Sequence, residues 1–327
     1  MAVPLRKRVK RRVRSALVRA ALWLVSFVPL GPGLAFGELA GRSAYRLAGR
    51  TRRLALSQLA LAFPEKPEAE REAIARAMFA HFGKAAMELA AIRWYDAALE
   101  DYVSLDPPDL IQGVAARGKG VVFVTGHVGN WELLARRIAR AGAPGSVIAK
   151  ASADPKMNEL AERFRASGGV TTLWREDRDT GRAIIRTFRQ GRLLGILIDQ
   201  DTSVQGVFVP FFGRLSYTPR AAGDLALRFG APVVVGTTRR RGPGRSAGHV
   251  VEMVEIPYDP APPDREAEAV RITAACTAAL EAAIRRNPPE WVWMHERWKT
   301  EPPARGTAAS EGPQAKPMPK SAELSGG

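Results

Sequence analysis

Apolar positions recur along this chain in two rhythms, and the change falls near residue 118. Before it the spacing is helical. Residues 38–62 read as a helix with a basic face, closing at Phe63-Pro64-Glu65-Lys66-Pro67. Residues 68–92 read as a second helix, with Met78, Phe82, Ala85, Ala86 and Leu89 on one face, the spacing of ordinary core packing. His81 lies beside that stripe and reads as a boundary histidine rather than a ligand. After residue 118, short β-branched runs at 120–124, 146–150, 170–174, 193–199, 232–238 and 249–256 alternate with helical stretches at 131–141, 155–166, 180–190, 219–229 and 264–286. That alternation predicts an α/β fold, a mixed and mostly parallel sheet flanked by helices, with the N-terminal helices packed on it.

Charge changes the reading of the N-terminal end. Residues 1–53 hold thirteen Arg and Lys against one acid, Glu38, a net +12 of the chain's +16. Such an end suits an anionic partner, either nucleic acid or a lipid headgroup surface. The apolar run at 20–30, with Trp23 and Phe27 one helical turn apart, favours the lipid surface. Pro29, Gly31, Pro32 and Gly33 interrupt the uncharged stretch 20–37, and a clean crossing needs about 20 apolar residues. An interfacial or re-entrant anchor over residues 1–37 is therefore expected, with its basic start on the cytoplasmic side. A signal peptide is the alternative, but no small-residue cleavage site precedes the amphipathic stretch from Glu38. Residues 38–300 form the expected folded domain, and the Pro/Gly/Ala/Ser-rich 301–327 a disordered tail. The single cysteine, Cys276, excludes a disulfide within the chain and sits mid-helix at a core position, so it is discounted as a nucleophile.

The candidate chemistry follows the run 121–124. There Thr125-Gly126-His127-Val128-Gly129-Asn130-Trp131-Glu132 sets a histidine five residues before a glutamate. On one straight helix the two would point about 140° apart. With His127 in a glycine-flanked turn and Glu132 in the first helical turn, the carboxylate is expected to accept a hydrogen bond from one imidazole nitrogen and leave the other as a base. The alternative is a helix-start histidine beside a glutamate favoured by the helix dipole. Asp199, Gln200 and Asp201 end a hydrophobic strand on the same edge, where ligands bind in open α/β sheets. The apolar loop 206–213 follows, with Phe208 and Phe212 expected on one face and Phe211 on the other. It suits an acyl chain or a bilayer, or else a buried loop. The segment 289–299 holds Trp291, Trp293 and Trp298 among basic residues, as in a membrane-interface belt.

HVGNWE, the strand ending IDQD, GVFVPFFG with Tyr217-Thr218-Pro219, APVVV and PEWVWMHERWK stand in one order. Together with LALAFPE they resemble the bacterial late acyltransferases of lipid A synthesis, over about residues 20–300. H-x4-D/E alone is shared with the wider glycerolipid acyltransferases; the other blocks make the resemblance specific. It implies a glycerolipid-acyltransferase-like fold at the bacterial inner membrane, with the site on the cytoplasmic side. The activity it implies is acyl transfer from acyl carrier protein or coenzyme A to a hydroxyl of a glycolipid, a lipid A precursor. It implies a dyad of His127 and Glu132, and a basic residue after the second strand, for which Arg163 and Arg165 are candidates and Arg165 is preferred. Where many members carry an arginine-proline pair, this chain has Lys150-Ala151, and headgroup contacts there are expected to differ. Arg165, or backbone N–H groups near Gly129 and Asn130, would steady the oxyanion. Asn130, Arg163, Arg165, Asp199, Asp201, Phe208, Phe211 and Phe212 are the expected substrate contacts. No metal, cofactor or nucleic acid is implied. Transfer to a phosphoglycolipid or lysophospholipid, or a non-catalytic basic membrane-binding protein, remain the rival readings.

Overall fold

The computed structural model describes residues 23–242 and 248–303, so the basic run at 1–14 and most of the expected tail lie outside the described residues. Helix α1 (Leu30–Leu47) begins at the Gly31-Pro32-Gly33 run that the sequence suggests as a break. Pro32 falls in the first turn, whose N–H groups have no partner within the helix, so a proline is tolerated there. Ala48, at φ −88° and ψ 62°, separates α1 from α2 (Gly49–Ala62), and the expected single helix 38–62 is two. Helix α3 (Glu68–Ala90) matches its expectation within two residues. Small residues bring α1 and α3 into backbone contact: a Cβ on Gly41 would meet the Phe79 carbonyl at 2.1 Å. No described helix is long and apolar enough to cross a membrane.

The strands are β1 (Val103–Asp106), β2 (Val121–Thr125), β3 (Gly145–Ala149), β4 (Val170–Trp174), β5 (Leu193–Leu197), β6 (Gly206–Phe211), β7 (Arg214–Pro219), β8 (Val233–Arg240) and β9 (His249–Ile256). The main sheet runs β1-β9-β8-β2-β5-β3-β4. Only the β8–β9 pairing in it is antiparallel. The mixed, mostly parallel sheet is as expected, with β1 added. Its four residues, VSLD, are too short and too polar to stand out from the sequence.

Every residue of β2 is buried, as suits a central strand covered on both faces. On one face Val122, Val124, Leu194 and Ile196 pack with α7 (Ala221–Phe229) and α8 (Arg265–Arg286). On the other, Val121 and Phe123 pack with Leu133, Leu134 and Ile138 of α4 (Trp131–Arg140). Each such side chain contributes about 1.5–3 kcal/mol by leaving water. Cys276 lies in this core, where burial pushes its thiol up to about 12, which leaves no nucleophile there. Helices α5 (Pro155–Ser167) and α6 (Thr180–Arg189) follow β3 and β4.

The apolar loop expected at 206–213 is the hairpin β6–β7. Its two-residue turn, Phe212-Gly213, takes φ +52° and +72°, so the strand alternation assumed for Phe212 ends at Phe211. Phe211 and Phe212 are buried with Phe63, Met78, Trp291 and Trp293 in a third core beneath α2 and α3. Trp291 and Trp293 are fully buried, which corrects the reading of 289–299 as an interfacial belt. The buried Arg297 clamps this segment to the hairpin, donating to the Tyr217 carbonyl at 2.6 Å and to Thr218 Oγ1 at 2.6 Å.

Candidate active site

Register places the central pair. β2 and β5 are adjacent and parallel with Thr125 opposite Leu197. Two residues beyond each strand end, His127 and Asp199 therefore arrive side by side at the carboxyl edge. His127 Nδ1 lies 2.9 Å from Asp199 Oδ1. Asp199 Oδ2 accepts the His127 backbone N–H at 2.6 Å and the Trp291 indole N–H at 2.8 Å. The carboxylate is buried and all its contacts are donors. Gly126 permits this approach, since a Cβ there would lie 2.9 Å from Asp199 Cγ.

The electrostatics follow from that contact. Burial alone would push His127 below its ordinary range, but the Asp199 carboxylate, with Glu132 adding to it, outweighs burial and the net shift is upward. Burial would likewise push Asp199 up, yet His127 and the Trp291 N–H hold it down at about 2. Asp199 is thus ionised at neutral pH and selects the Nδ1–H tautomer of His127. Nε2 has no hydrogen-bond partner among the described residues, and the ring, 25% exposed, faces a cleft.

The turn is held from behind. Gly129 sits at φ +63°, and a Cβ there would meet the Thr238 carbonyl at 2.2 Å. Its N–H donates to the Glu290 carbonyl at 2.8 Å, and the Asn130 N–H donates to Thr238 Oγ1 at 2.8 Å. Both N–H groups expected near the oxyanion are therefore satisfied inside the protein. Asn130 is buried and caps α4, accepting from the Leu133 N–H and donating to Glu88 Oε2 at 3.0 Å. Glu88 is fully buried and also holds Tyr102, Arg240 and His249. Burial would push Glu88 up, but His249 and Arg240 hold it well below the usual carboxylate range. His81, expected at a boundary, is buried, and burial together with Arg240 lowers it to about 3. Neutral, its Nε2–H donates to the Gly129 carbonyl at 3.2 Å.

Glu132 does not meet the imidazole hydrogen bond expected of it. Asp199 occupies Nδ1, and Glu132, in the first turn of α4, turns to α5. There Arg165 grips it with two bonds, Nε to Oε2 at 2.9 Å and Nη2 to Oε1 at 2.6 Å. Arg163, the other candidate, is exposed and pairs with Glu159 one turn away.

His127, Trp131, Glu132, Arg165, Gln200 and Phe208 line one cleft of about 3250 Å³. Typical ligand pockets hold about 300–1,000 Å³, so this open cleft is larger than one small ligand requires. Of the expected substrate contacts, Arg165 and Phe208 reach the cleft. Asn130, Arg163, Asp199, Asp201, Phe211 and Phe212 do not. Asp201 instead accepts from Thr300, N–H at 2.8 Å and Oγ1 at 3.0 Å, and so ties down the C-terminal segment. Trp291 as a donor to Asp199 carries no sequence signal, since nothing in its spacing links it to a strand almost a hundred residues earlier.

Residues 5–300 match the bacterial lipid A biosynthesis acyltransferase family. The chain is 27% identical over 284 residues to the lipid A biosynthesis lauroyltransferase of Escherichia coli K12, covering 86% of this chain and 90% of that protein. It is 28% identical over 272 residues to the E. coli lipid A biosynthesis myristoyltransferase, 80% of each chain. A phosphatidylinositol mannoside acyltransferase of Mycobacterium tuberculosis is 23% identical over 192 residues, 58% of each. With the match running nearly end to end and taking in every residue of the His127 site, the chain belongs to the bacterial lipid A biosynthesis acyltransferase family.

Proposed function

We propose that this protein moves a fatty acyl group from an acyl thioester, on acyl carrier protein or coenzyme A, to a hydroxyl of a lipid A precursor at a membrane surface. The observation that carries the reading is the free Nε2 of His127, backed by the buried Asp199 carboxylate, facing a large cleft. Nε2 takes the hydroxyl proton as the oxygen forms its bond to the thioester carbonyl carbon. The C–S bond then breaks, and the thiolate takes the proton back from the imidazolium. Asp199 fixes the tautomer and balances the imidazolium charge. Arg165 uses Nε and Nη2 on Glu132, which leaves Nη1 to steady the oxyanion. Glu132 is then the residue that aims Arg165, and its charge also favours the imidazolium. No acyl-enzyme is needed, because a thioester is already activated. The test is product analysis with purified protein and defined donor and acceptor: an acylated acceptor with an equal amount of released thiol supports the reading, and thiol release alone contradicts it.

Of the three loop phenylalanines Phe208 alone lines the cleft, and it is placed to limit the length of the acyl chain. It is half-buried, lines the cleft beside Val207, and leans on Tyr217 with ring centroids 5.4 Å apart. A buried CH₂ contributes about 0.8 kcal/mol. Phe208→Ala is expected to raise kcat/KM for donors two carbons longer by roughly tenfold relative to the preferred donor. A uniform loss across chain lengths, with a lowered melting temperature, would give Phe208 a packing role only.

The membrane surface is read from α1 and the turn before it. Trp23, Leu24, Phe27, Phe36, Leu39, Leu47 and Trp94 account for seven of the nine exposed large hydrophobic residues among the described residues. Trp94 donates its indole N–H to the Ser26 carbonyl at 3.0 Å, and Arg93 lies over the Phe27 ring at 4.9 Å. Aromatic rings beside guanidinium groups suit a headgroup layer. Residues 1–37 then serve as the anchor of a catalytic unit at 38–300. The triple variant Trp23→Ala, Phe27→Ala, Trp94→Ala is expected to bind phosphatidylglycerol vesicles roughly tenfold or more weakly. Unchanged binding would move the contact elsewhere.

A further inference from the structure

Past the strand ends, no rung of the sheet joins the two loops that carry His127 and Asp199. The last bond of their ladder runs from the Ile198 N–H to the Thr125 carbonyl at 3.2 Å. Gly126 and Gly129 lie in the first loop, and glycine adds backbone freedom there rather than stiffness. The C-terminal segment 290–300 bridges the two loops instead. Trp291 pairs with Val128 as an antiparallel bridge, and the Gly129 N–H donates to the Glu290 carbonyl at 2.8 Å. On the second loop, the Trp291 indole N–H donates to Asp199 Oδ2 at 2.8 Å and the Asp201 N–H donates to His295 Nε2 at 3.1 Å. Thr300 donates twice to the Asp201 carboxylate.

Trp291 touches both loops. It is fully buried, and its ring is set by Trp293, Phe211 and Phe212 at 4.5, 5.6 and 6.5 Å between centroids. A phenylalanine would serve such apolar packing, so what tryptophan adds is the indole N–H. A buried indole N–H needs an acceptor. Here the acceptor is the carboxylate that selects the His127 tautomer. The aromatic packing therefore fixes this donor in place before any substrate arrives.

We propose that Trp291 is a positioning residue of the active site: its backbone holds the turn of His127, its indole holds the carboxylate of Asp199, and together they set the geometry and the basicity of the pair. The role rests on the reading of His127 as the base. The direction of the effect on basicity follows from charge. The indole N–H lays its positive end on Oδ2 and offsets part of the carboxylate charge. Without it more of that charge acts on His127, the imidazolium gains, and the His127 titration moves up. Asp199→Asn moves it the other way. The other charged or titratable groups around the pair are Glu132 with its Arg165, His295, Asp201 and Arg297. His81 and Glu290 stand behind the turn, on Gly129 and Arg240. Burial lowers His295, which stays neutral as it accepts the Asp201 N–H. Replacing the indole N–H alone leaves every one of these groups in place.

The experiment compares the full wild-type chain with Trp291→Phe and with a second variant carrying benzothienylalanine at position 291. In that residue sulfur replaces the N–H in a ring of nearly the same shape, so packing is kept and no cavity opens to water. Three readings are taken: the melting temperature, the His127 ring titration by NMR, and kcat and KM against pH with an acyl thioester and a lipid acceptor. The His127 signal is assigned by its absence from His127→Ala. The benzothienyl variant is expected to move the His127 titration up by about half a pH unit or more. Its kcat at neutral pH should fall about tenfold, with both KM values unchanged. Trp291→Phe should shift in the same direction, with a lower melting temperature. A benzothienyl variant with wild-type titration and wild-type kcat would overturn the proposal and leave Trp291 a packing residue, even where Trp291→Phe melts early. A downward titration would overturn it as well. The titration needs no substrate, so it decides the proposal even if wild type transfers no acyl group, the result on which the functional reading itself fails.

Discussion

His127→Ala should lower kcat/KM for acyl transfer by about 10²–10⁴-fold, the usual worth of a positioned general base. The loss should fall on turnover, because the imidazole contacts the reacting hydroxyl rather than the acyl chain or headgroup. The fold should survive. Asp199 keeps the His127 backbone N–H and the Trp291 indole N–H, so two of its three donors remain. The stability cost is then that of one lost partner to a buried carboxylate, about 1–3 kcal/mol. Circular dichroism and a melting curve would accompany the kinetics. A folded variant with near wild-type turnover would remove His127 from the mechanism.

Asp199→Asn should be nearly as damaging, by a different route. In the native site Oδ2 accepts two N–H groups and Oδ1 accepts Nδ1–H. An asparagine has one carbonyl oxygen, and the two-donor position claims it. The amide NH₂ then faces Nδ1, forces the proton to Nε2 and removes the lone pair that takes the hydroxyl proton. A fall of about 10²–10⁴-fold in kcat is expected. The pH profile gives the sign independently. His127 acts when neutral, so activity appears as pH rises through its pKa. Burial opposes the imidazolium and Asp199 outweighs burial, so the wild-type acid limb lies above the ordinary histidine value near 6.5. With the carboxylate gone, burial prevails and the limb moves down. An acid limb that stays in place would show that Asp199 does not set the charge state of His127.

The layered sheet was legible because its strands are β-branched runs bounded by turn residues, and His127 because glycines flank it just beyond a strand. Asp199 was within reach too. It stands two residues past β5 as His127 stands two past β2, but pairing those strands needs the sheet order, which no local pattern carries. A glycine-flanked turn beside a first helical turn points Glu132 to the imidazole, but Asp199, seventy-two positions from His127, holds Nδ1. The aromatic residues misled for a related reason. Trp291 and Trp293 sit among charged neighbours that suggest an interface, yet Arg297 is turned inward, its guanidinium carried by a carbonyl and a hydroxyl. Phe212 left its expected face because a two-residue turn, not a continuing strand, begins there. At α1 the Gly-Pro-Gly run suggests an ending, though a proline in a first turn is equally a beginning.

On the proposed function this site joins an acyl thioester to a hydroxyl of a lipid A precursor through His127. The decisive measurement is mass spectrometry of the acceptor after incubation of the purified full chain with acyl carrier protein thioesters and a lipid A precursor that carries a free hydroxyl. Wild type should yield an acceptor heavier by one ester-linked acyl group, with free thiol released in equal amount, and His127→Ala should yield neither above the uncatalysed background. Thiol release without an acylated lipid, or the same product from His127→Ala, would contradict it.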